Sequence, residues 1–384
     1  MYRSENNARP RRVAIIHALP LEYYPPVTNL LGYLSSLGGL DVEVFTVPNG
    51  AGRSAYVHNG IRIHRFPWVQ VGDGMAARLW KHTGFTFRTV QQLCRFRPAA
   101  ILYFEPHSAM PAYVYARYFN QTVAILLHNH EYYDPDQFRQ PGMRILRLCH
   151  QREVSYLYRR AVWISQTNAD RLELLLRDYP FIDRSVTRVL PNYPPRFWVA
   201  SVASQPKPPR PPLRCVHIGS VSLEDSYVRE ICAWVVSQKG AVTLDLYDYK
   251  IPARTRQFLA GVEGDLIRCF DIGVPYAELP RLLPQYHVGL ILHRGTTANY
   301  VYNAPNKLFE YLACGLDVWC PLEMLGVGPY LRHDAAPKVF SADFNRLDAF
   351  DAMSAVSDGD TRVCSSTYTC EEALSALVEK LRTA

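Results

Sequence analysis

The sequence lacks long apolar runs. No stretch of its 384 residues approaches the roughly 18 uninterrupted apolar residues of a membrane-spanning helix. The amino-terminal segment MYRSENNARPRR carries charges but has no apolar core after them, which is not the pattern of a secretory leader. We therefore expect a protein that is neither secreted nor membrane-spanning.

The sequence also lacks closely paired cysteines. None of its nine cysteines forms a CxxC pair, and several lie inside apolar runs such as LRCVHI and DVWC. An odd count argues against a disulfide framework, and the missing short pairs argue against a zinc site. Reduced cysteines packed in a core are typical of the cytoplasm, so we expect a cytoplasmic protein without a metal site.

Charge is sparse and only mildly unbalanced. Charged residues make up 20% of the chain and hydrophobic residues 48%, which excludes a disordered protein. The length exceeds what a single core usually supports and predicts two domains. The net charge of +7 favours an acidic partner, which is nucleic acid, an anionic membrane face or a phosphorylated small molecule. No GxGxxG motif follows a predicted strand and no nucleic-acid module is recognisable, which argues against a dehydrogenase and against nucleic-acid binding.

The richest proline cluster divides the chain. Five prolines in SVASQPKPPRPP, residues 201–212, exclude a helix and indicate a linker. Nearly continuous apolar runs alternate with helix-length segments on both sides of it, which predicts an α/β protein with two Rossmann-like, doubly wound parallel-sheet domains. The predicted strands begin at Val13, Val42, Ile61, Ala99, Thr122 and Val162 before the linker, and at Leu213, Val242, Ile267, His287 and Asp317 after it.

The predicted domain boundaries follow from this division. An amino-terminal domain covers 1–200, and a carboxy-terminal domain covers 213–340. The last stretch, 341–384, contains SADFNRLDAFDAMSAV and TCEEALSALVEKL, whose spacing predicts helices that pack back across both domains. In parallel sheets ligands bind beyond the carboxyl ends of the strands, so we expect the functional residues in the loops that follow the strands.

The run NAPNKLFEYLACG, residues 303–315, predicts a short helix between two strands. Pro305 suits the first helical position, and Gly315 suits the stop. Lys307 beside the positive end of the helix would form a site for a diphosphate. Glu310, three residues later, would accept hydrogen bonds from the hydroxyls of a ribose. The alternative is that Lys307 and Glu310 are a solvated helical pair.

A segment without acidic residues, 75–97, indicates a basic helix. An apolar residue recurs every seven positions, and a basic residue follows each one. These pairs are Trp80 with Lys81, Phe87 with Arg88, and Cys94 with Arg95. A second basic helix is predicted over 144–160. Either the basic stripe holds the protein on an anionic membrane, or the helix packs on the core with a solvated basic face.

Several segments in order resemble the family 4 glycosyltransferases of the GT-B fold. The helix at 303–315 is similar to the family block P-N-K-x-x-E-Y-x-A-x-G. The other similar segments are HNHEYY at 128–133, REVSYLYRRAVWISQTNADRL at 152–172, LPNYPP at 190–195 and VHIGSVS at 216–222. The resemblance covers most of the chain. It implies two domains that face each other across a cleft, with the acceptor bound by 1–200 and the donor by 213–340.

The resemblance also implies an activity. It is hexosyl transfer from a nucleotide sugar, with a UDP-sugar favoured over a GDP-sugar, to a glycan or lipid-linked acceptor in polysaccharide or glycoconjugate synthesis. Such transfer proceeds with retention and requires neither a metal ion nor a further cofactor. The implied location is the cytoplasm, with peripheral contact through 75–97 at the inner face of the plasma membrane.

The resemblance assigns roles to individual residues. Glu310 would hold the ribose, Lys307 the diphosphate, and the backbone of Gly219 and Ser220 would approach the phosphates. The loop 297–306 would lie under the donor sugar; it contains Tyr302, Asn303 and Asn306. The catalytic candidates are His130, close to the donor sugar, and Glu131, which would orient the histidine or touch the acceptor.

Two positions depart from the family pattern. A second glutamate usually stands eight residues before the ribose glutamate, and here that residue is Tyr302. The loop after VHIGS usually supplies an arginine and a lysine, whereas this loop has Glu224 and Asp225, with Arg229 or Arg294 as possible substitutes. A noncatalytic partner subunit or a relative of nucleotide-sugar epimerases is therefore the alternative function.

An inverting reaction would need a general base. The candidates lie on loops of the amino-terminal domain and include Glu131. The others are His17, Glu22 and Asp134, and Glu105 and His107 are placed similarly after a strand. The alternative for His17 is an inert residue at a strand end.

Overall fold

The computed structural model of the protein describes residues 10–50, 54–70, 72–203, 205–248, 251–271, 273–359 and 361–384. Most of the amino-terminal segment MYRSENNARPRR lies outside these residues. The chain forms two compact units. The first unit is Met1–Pro191 with Ala373–Ala384, and the second unit is Asn192–Glu372.

The first unit is built on a seven-stranded parallel sheet in the order β3-β2-β1-β4-β5-β6-β7. Its strands are β1 (Arg11–His17), β2 (Leu40–Thr46), β3 (Arg62–Arg65), β4 (Ala100–Phe104), β5 (Ala124–Asn129), β6 (Ala161–Gln166) and β7 (Thr187–Val189). Its helices are α1 (Pro25–Leu37), α2 (Met75–Phe96), α3 (Ala109–Tyr118), α4 (Arg144–Arg152), α5 (Tyr158–Arg160) and α6 (Ala169–Asp178). The central strands are apolar on both faces because helices cover both sides of the sheet.

The second unit repeats this architecture with a six-stranded parallel sheet in the order β10-β9-β8-β11-β12-β13. Its strands are β8 (Leu213–Ile218), β9 (Val242–Tyr247), β10 (Ile267–Phe270), β11 (Val288–Leu290), β12 (Asp317–Pro321) and β13 (Val339–Ala342). The helices are α7 (Phe197–Val202), α8 (Val228–Ser237), α9 (Ala253–Val262), α10 (Leu279–Leu282), α11 (Ala298–Val301), α12 (Asn306–Ala313) and α13 (Cys370–Thr383), whose last residues belong to the first unit.

In each sheet the strand order reverses direction at one place. The reversal lies between β1 and β4 in the first unit and between β8 and β11 in the second. Connections leave toward opposite sides at such a point, which opens a crevice beyond the carboxyl ends of the strands. The loops after β1, β4, β8 and β11 are therefore the places where each unit is built to hold a ligand.

The eleven predicted strands are confirmed, and the structure adds β7 and β13. The first predicted carboxy-terminal helix, at 341–356, is wrong: the chain there ends β13, makes a 3₁₀ turn at Leu347–Ala349 and continues without a helix. Ala342 pairs with Pro321 of β12, and the Asp343 side chain accepts the Asn345 N–H at 3.0 Å, which favours a turn. The second predicted helix is confirmed as α13.

The predicted linker 201–212 lies inside the second unit, and the division of the chain falls at 191–192. Hydrogen bonds join this segment to other residues of that unit. The His287 ring donates to the Pro208 carbonyl at 2.9 Å, and Arg210 donates to the Ser357 carbonyl at 3.2 Å. The prolines exclude regular structure, but these hydrogen bonds make the segment a packed part of the second unit.

The predicted basic helix at 144–160 is confirmed as one continuous helical segment. A π turn at Glu153–Leu157 joins α4 to α5. All nine cysteines are unpaired, and burial raises the pKa of each thiol. None of the helices in the described part of the chain has the length and hydropathy needed to cross a bilayer.

Candidate functional site

A lysine lies at the end of the central strand of the second unit. Lys307 is in the first turn of α12, and its Nζ is 3.1 Å from the place where a Cβ on Gly219 would stand. Gly219 follows β8 with a φ of +124°, a backbone conformation that residues other than glycine rarely adopt. The glycine lets the amine lie against the backbone, and the two predicted site residues come together.

Close packing fixes α12 in this position. A Cβ on Gly289 of β11 would lie 2.1 Å from the Tyr311 ring, so only glycine lets the helix approach this strand so closely. The Tyr311 hydroxyl accepts the N–H of Ile218 at 3.1 Å. Gly315 ends the segment with a φ of +69°, as predicted for a helix stop. The helix that carries Lys307 is thus held against both β8 and β11.

Two carboxyl groups, Glu310 and Asp248, act on the Lys307 amine. Burial lowers the pKa of Lys307 to about 8, and these two carboxyl groups oppose that shift. Burial raises the pKa of Glu310 to about 7 and that of Asp248 to about 7, and in both cases Lys307 opposes the shift. The Lys307 site, defined as Gly219, Asp248, Lys307 and Glu310, therefore holds a cation beside two carboxyl groups that titrate near neutral pH.

Two further observations complete this site. Neither oxygen of Asp248 has a hydrogen-bond partner among the residues that the structure describes, although both are buried. His217 of β8 is fully buried, and burial with the nearby charge of Lys307 keeps its pKa well below the usual value. The ring is therefore neutral, and Lys307 is the cation at this strand end.

The other predicted donor residues lie on the two segments that flank this site. Ser220 is exposed directly after Gly219. Tyr302, Asn303 and Asn306 are partly buried along the chain that leads from α11 into α12. Pro305 is the N-cap and not the first helical residue, because its ψ of 153° is extended.

The two arginines proposed as substitutes for phosphate contacts have other neighbours. The Arg229 guanidinium lies 4.7 Å from the centre of the Phe258 ring. Arg294 donates to Glu230 at 2.5 Å and lies 4.1 Å from the centre of the Tyr227 ring. Glu224 is exposed and pairs loosely with an arginine of α9 at 3.7 Å.

A second group of polar residues lies at the strand ends of the first unit. His17 ends β1, Glu105 follows β4 and His130 follows β5, and all three are buried. The centres of the His17 and His130 rings are 6.5 Å apart, and Phe104 stacks on His130 at 5.3 Å. We call His17, Glu105 and His130 the strand-end cluster.

The backbone around His130 is held from two sides. Glu105 Oε1 accepts the His130 N–H at 2.6 Å and the Glu131 N–H at 3.2 Å. The guanidinium of Arg171 donates to the His130 carbonyl at 2.6 Å and to Glu131 at 3.4 Å. Glu105 has a φ of +61°, a costly conformation for a glutamate that these hydrogen bonds help to maintain. Glu105 therefore fixes the backbone at His130 and Glu131.

Burial sets the protonation of this cluster. It raises the pKa of Glu105 to about 8, with Glu131 adding to the rise and the two backbone N–H groups opposing it. It lowers the pKa of His17 to about 3, helped by the neighbouring His130. His17 Nδ1 lies 2.8 Å from the Leu19 carbonyl and must donate to it, which leaves Nε2 as the nitrogen with a lone pair. At neutral pH, His17 is thus a neutral acceptor.

The predicted base candidates have different surroundings. Glu22 Oε1 accepts from the Tyr56 N–H at 2.7 Å and from Arg65 at 3.0 Å, so it fixes a loop. Asp134 accepts the N–H of the residue two positions later and stabilises a turn. The Glu131 side chain is 50% exposed, whereas the His130 residue is 6% exposed. His107 is partly buried near the cluster, and burial lowers its pKa to about 4.

Sequence reasoning missed two residues, Arg171 and Asp248. Arg171 is the one charged residue on the buried face of α6, and a lone arginine among leucines is a signal for a buried hydrogen-bonding role. Asp248 directly follows β9, where a parallel sheet places ligand-binding side chains. Within the described ranges, no three His, Cys, Asp or Glu side chains form a group that would hold a metal ion.

No protein-family model matches the sequence, and no curated protein is significantly similar to it. Solved structures are similar in fold along nearly the whole chain. Sucrose-phosphate synthase from Thermosynechococcus elongatus is 14% identical with a TM-score of 0.61, covering 97% of this chain and 96% of that one. Anabaena HepE in complex with UDP and glucose is 11% identical with a TM-score of 0.65, and the match covers 97% of this chain and 100% of that one.

A third similar structure is UDP-GlcNAc 2-epimerase from Methanocaldococcus jannaschii, which is 11% identical with a TM-score of 0.56, covering 97% and 100%. Identities this low carry information on fold alone. The likenesses and the two parallel sheets agree with the predicted fold class: the chain has the GT-B fold, with two Rossmann-like, doubly wound units.

Proposed function

We propose that the protein is a hexosyltransferase that moves a sugar from a nucleotide sugar to a glycan or lipid-linked acceptor in polysaccharide or glycoconjugate synthesis. We favour a UDP-sugar over a GDP-sugar. The observation that carries the proposal is the Lys307 site, because a buried cation, a close backbone and a carboxyl group lie together at a strand end. The HepE structure, which contains UDP and glucose in the same fold, supports the choice of nucleotide.

Each residue of the Lys307 site has a role in holding the donor. The Lys307 ammonium and the first turn of α12 would neutralise the diphosphate, and Gly219 would let it approach the backbone. Glu310, one turn further along the helix, would accept hydrogen bonds from the ribose hydroxyls. Tyr302, Asn303 and Asn306 lie on the segment that we assign to the donor sugar. Ser220 would add a backbone N–H to the phosphate contacts.

The first unit would bind the acceptor. In the reaction, the bond between the sugar C1 and the phosphate oxygen breaks and releases the nucleoside diphosphate, the acceptor oxygen bonds to C1, and the acceptor proton passes to the departing phosphate oxygen. We assign His130 and Glu131 to this step, with retention and without a metal ion, as in the family that the sequence resembles. If the reaction inverts, His17 is the candidate base because its Nε2 lone pair has no hydrogen-bond partner among the described residues.

Binding of nucleotides tests the donor site. Thermal unfolding is measured with UDP, GDP and inorganic pyrophosphate for wild type, Lys307→Ala and Glu310→Gln, with Glu278→Gln at an exposed position as the control. We expect UDP to stabilise wild type and the control. Lys307→Ala should lose the response to UDP and to pyrophosphate, and Glu310→Gln should lose only the response to UDP. A wild type that no nucleotide stabilises would contradict the donor assignment.

An epimerase relative is the second candidate, because Tyr302 stands where the family has a sugar-contacting glutamate. The two activities differ in their products. Incubation with a radiolabelled UDP-sugar and a glycolipid extract gives a labelled glycan if the protein is a transferase. It gives a new free UDP-sugar if the protein is an epimerase. NMR of a transferred product reports its anomeric configuration, and inversion would discard the proposed retention.

We also propose peripheral contact with the inner face of the plasma membrane through α2. Trp80 is 79% exposed and Phe87 is 70% exposed, so these side chains point away from the core. Arg88 and Arg95 are exposed beside them, whereas Lys81 is bound to an aspartate at 2.8 Å. Flotation with vesicles that contain phosphatidylglycerol should decrease when Arg88 and Arg95 are reversed in charge. Unchanged flotation would exclude this contact.

A further inference from the structure

An apolar groove opens between α2, α3 and α4 in the first unit. Its volume is about 790 Å³, within the roughly 300–1,000 Å³ of sites for small molecules. Four of its apolar lining side chains stay exposed: Leu79 at 52%, Phe87 at 70%, Phe119 at 60% and Leu148 at 41%. The core of the unit is packed by other side chains of α2, such as Phe85 and Leu93. The groove is therefore an apolar surface in addition to the core.

The charges around this groove have one sign. The helices α2, α3 and α4 contain no aspartate or glutamate. Arg95 lines the groove, and Arg88, Arg144 and Arg147 are exposed on the same helices. A ligand that fits here has an apolar body and a negative group, because the groove buries the first and the arginines attract the second.

A second cavity shares lining side chains with the groove and lies beside the strand-end cluster. This inner cavity has a volume of about 300 Å³ and is lined by residues that include Leu19 and His107. His82 and Ile145 line both cavities, so the two meet at these side chains. The Leu19 carbonyl accepts the Nδ1–H of His17. The inner cavity thus adjoins His17, although none of the three cluster residues lines it.

We infer that the groove binds the hydrocarbon chain of an anionic lipid, and that this lipid carries the acceptor of the proposed transfer. The inference rests on the proposed function and specifies the class of acceptor. The chain occupies the groove, the arginines bind its phosphate, and the group that receives the sugar reaches the strand-end cluster through the inner cavity. A partner helix would not enter a cavity of about 300 Å³, whereas a lipid head group is small enough to do so.

The test uses farnesyl phosphate as the probe, with farnesol and inorganic phosphate as its two halves. Affinity is measured by calorimetry for wild type, Leu148→Ser, and Thr83→Trp, which fills the groove from an exposed position of α2. Leu37→Ser is the matched control, because Leu37 on α1 is 42% exposed and Leu148 is 41% exposed. Circular dichroism confirms that each variant is folded.

We expect wild type and Leu37→Ser to bind farnesyl phosphate equally. Leu148→Ser and Thr83→Trp should bind it roughly tenfold more weakly. Arg95→Glu should weaken the binding of farnesyl phosphate but not the binding of farnesol. Equal affinity in Thr83→Trp and wild type, or equal affinity for inorganic phosphate and farnesyl phosphate, would overturn the inference. A dimer that Thr83→Trp dissociates would also overturn it, because a second copy would then be the occupant.

The response to UDP is measured in the same samples. If UDP stabilises every variant while the groove variants bind the lipid like wild type, the lipid inference fails and the donor assignment stands. If UDP stabilises none of them while the groove variants lose farnesyl phosphate, the donor assignment fails and the groove remains a lipid site of another function.

Discussion

Replacing Lys307 with methionine should make the protein more stable and unable to bind the nucleotide. The amine is held in a buried place that lowers its pKa from 10.5 to about 8. At about 1.4 kcal/mol for each pKa unit, keeping this amine charged in the fold costs about 3 kcal/mol at neutral pH. A binding residue that reduces stability is expected where the charge serves a ligand and not the fold.

The net gain is smaller than this cost. The pKa of about 8 already includes the attraction of Glu310 and Asp248. Lys307 is only partly buried, however, and screening by solvent reduces the penalty that its charge imposes. We expect Lys307→Met to gain about 1–2 kcal/mol, which is about 3–6 °C in the melting temperature of a unit of this size.

The pH dependence gives the sharper test. At this amine the unfolded chain binds more protons than the native state between about pH 8 and 10.5, so the cost that Lys307 imposes on wild-type stability decreases as the pH rises over that range. The gain in stability of Lys307→Met over wild type is complete below pH 8 and disappears toward pH 10.5. Thermal unfolding from pH 7 to 10 measures it, with Lys239→Met at an exposed position as the control. A destabilised Lys307→Met, or one whose advantage is the same at all pH values, would refute the reasoning.

Three further substitutions test the packing and the strand-end cluster. Gly289→Ala should lower the free energy of unfolding by about 3 kcal/mol or more because its Cβ would overlap an aromatic ring. Gly32→Ala, with open space around it, should raise the free energy of unfolding by about 0.5–1 kcal/mol. Urea unfolding compares the two variants. Glu105→Gln should gain stability relative to wild type as the pH rises from about 4.5 to 8, because over that range the native Glu105 carboxyl retains its proton and the unfolded one does not. A difference in melting temperature that stays constant across that range would contradict this. Arg171→Met should lower the free energy of unfolding in urea by about 2–3 kcal/mol because a buried carbonyl loses its hydrogen-bond donor. An equal loss in Arg177→Met, at an exposed position of the same helix, would contradict this.

The strands were predictable because each central strand is a nearly continuous apolar run between polar or helix-length segments. The missed strand β7 is three residues long, and two of these residues are exposed, so it has no apolar pattern. The apolar spacing at 341–356 suggested a helix, but side-chain hydrogen bonds of Asp343 and Asp351 to nearby N–H groups stabilise turns there. The pattern of apolar residues therefore predicts regular structure best where no local polar group competes with it.

The Lys307 site was predictable in part because its main residues are close in sequence. Lys307 and Glu310 share one turn of α12, and their spacing fixes their relation. Asp248 and Arg171 reach their positions only through the order of the strands, which no local motif records. Glu105 was noted after its strand, but its bond to the backbone of His130 depends on the neighbouring positions of β4 and β5.

The raised pKa values of the nine native thiols make selective chemical labelling of an added cysteine feasible. Maleimides react with the thiolate, and a thiol whose pKa is raised contains little thiolate at neutral pH. Ser220→Cys would place a single exposed thiol directly after Gly219, beside the Lys307 ammonium. A fluorophore there would be attached in preference to the native thiols and would report the arrival of a diphosphate in real time. The burial that raises the pKa of the native thiols thus lowers the chemical background for kinetic measurements, and the partly exposed Cys94, Cys269 and Cys364 are its expected source.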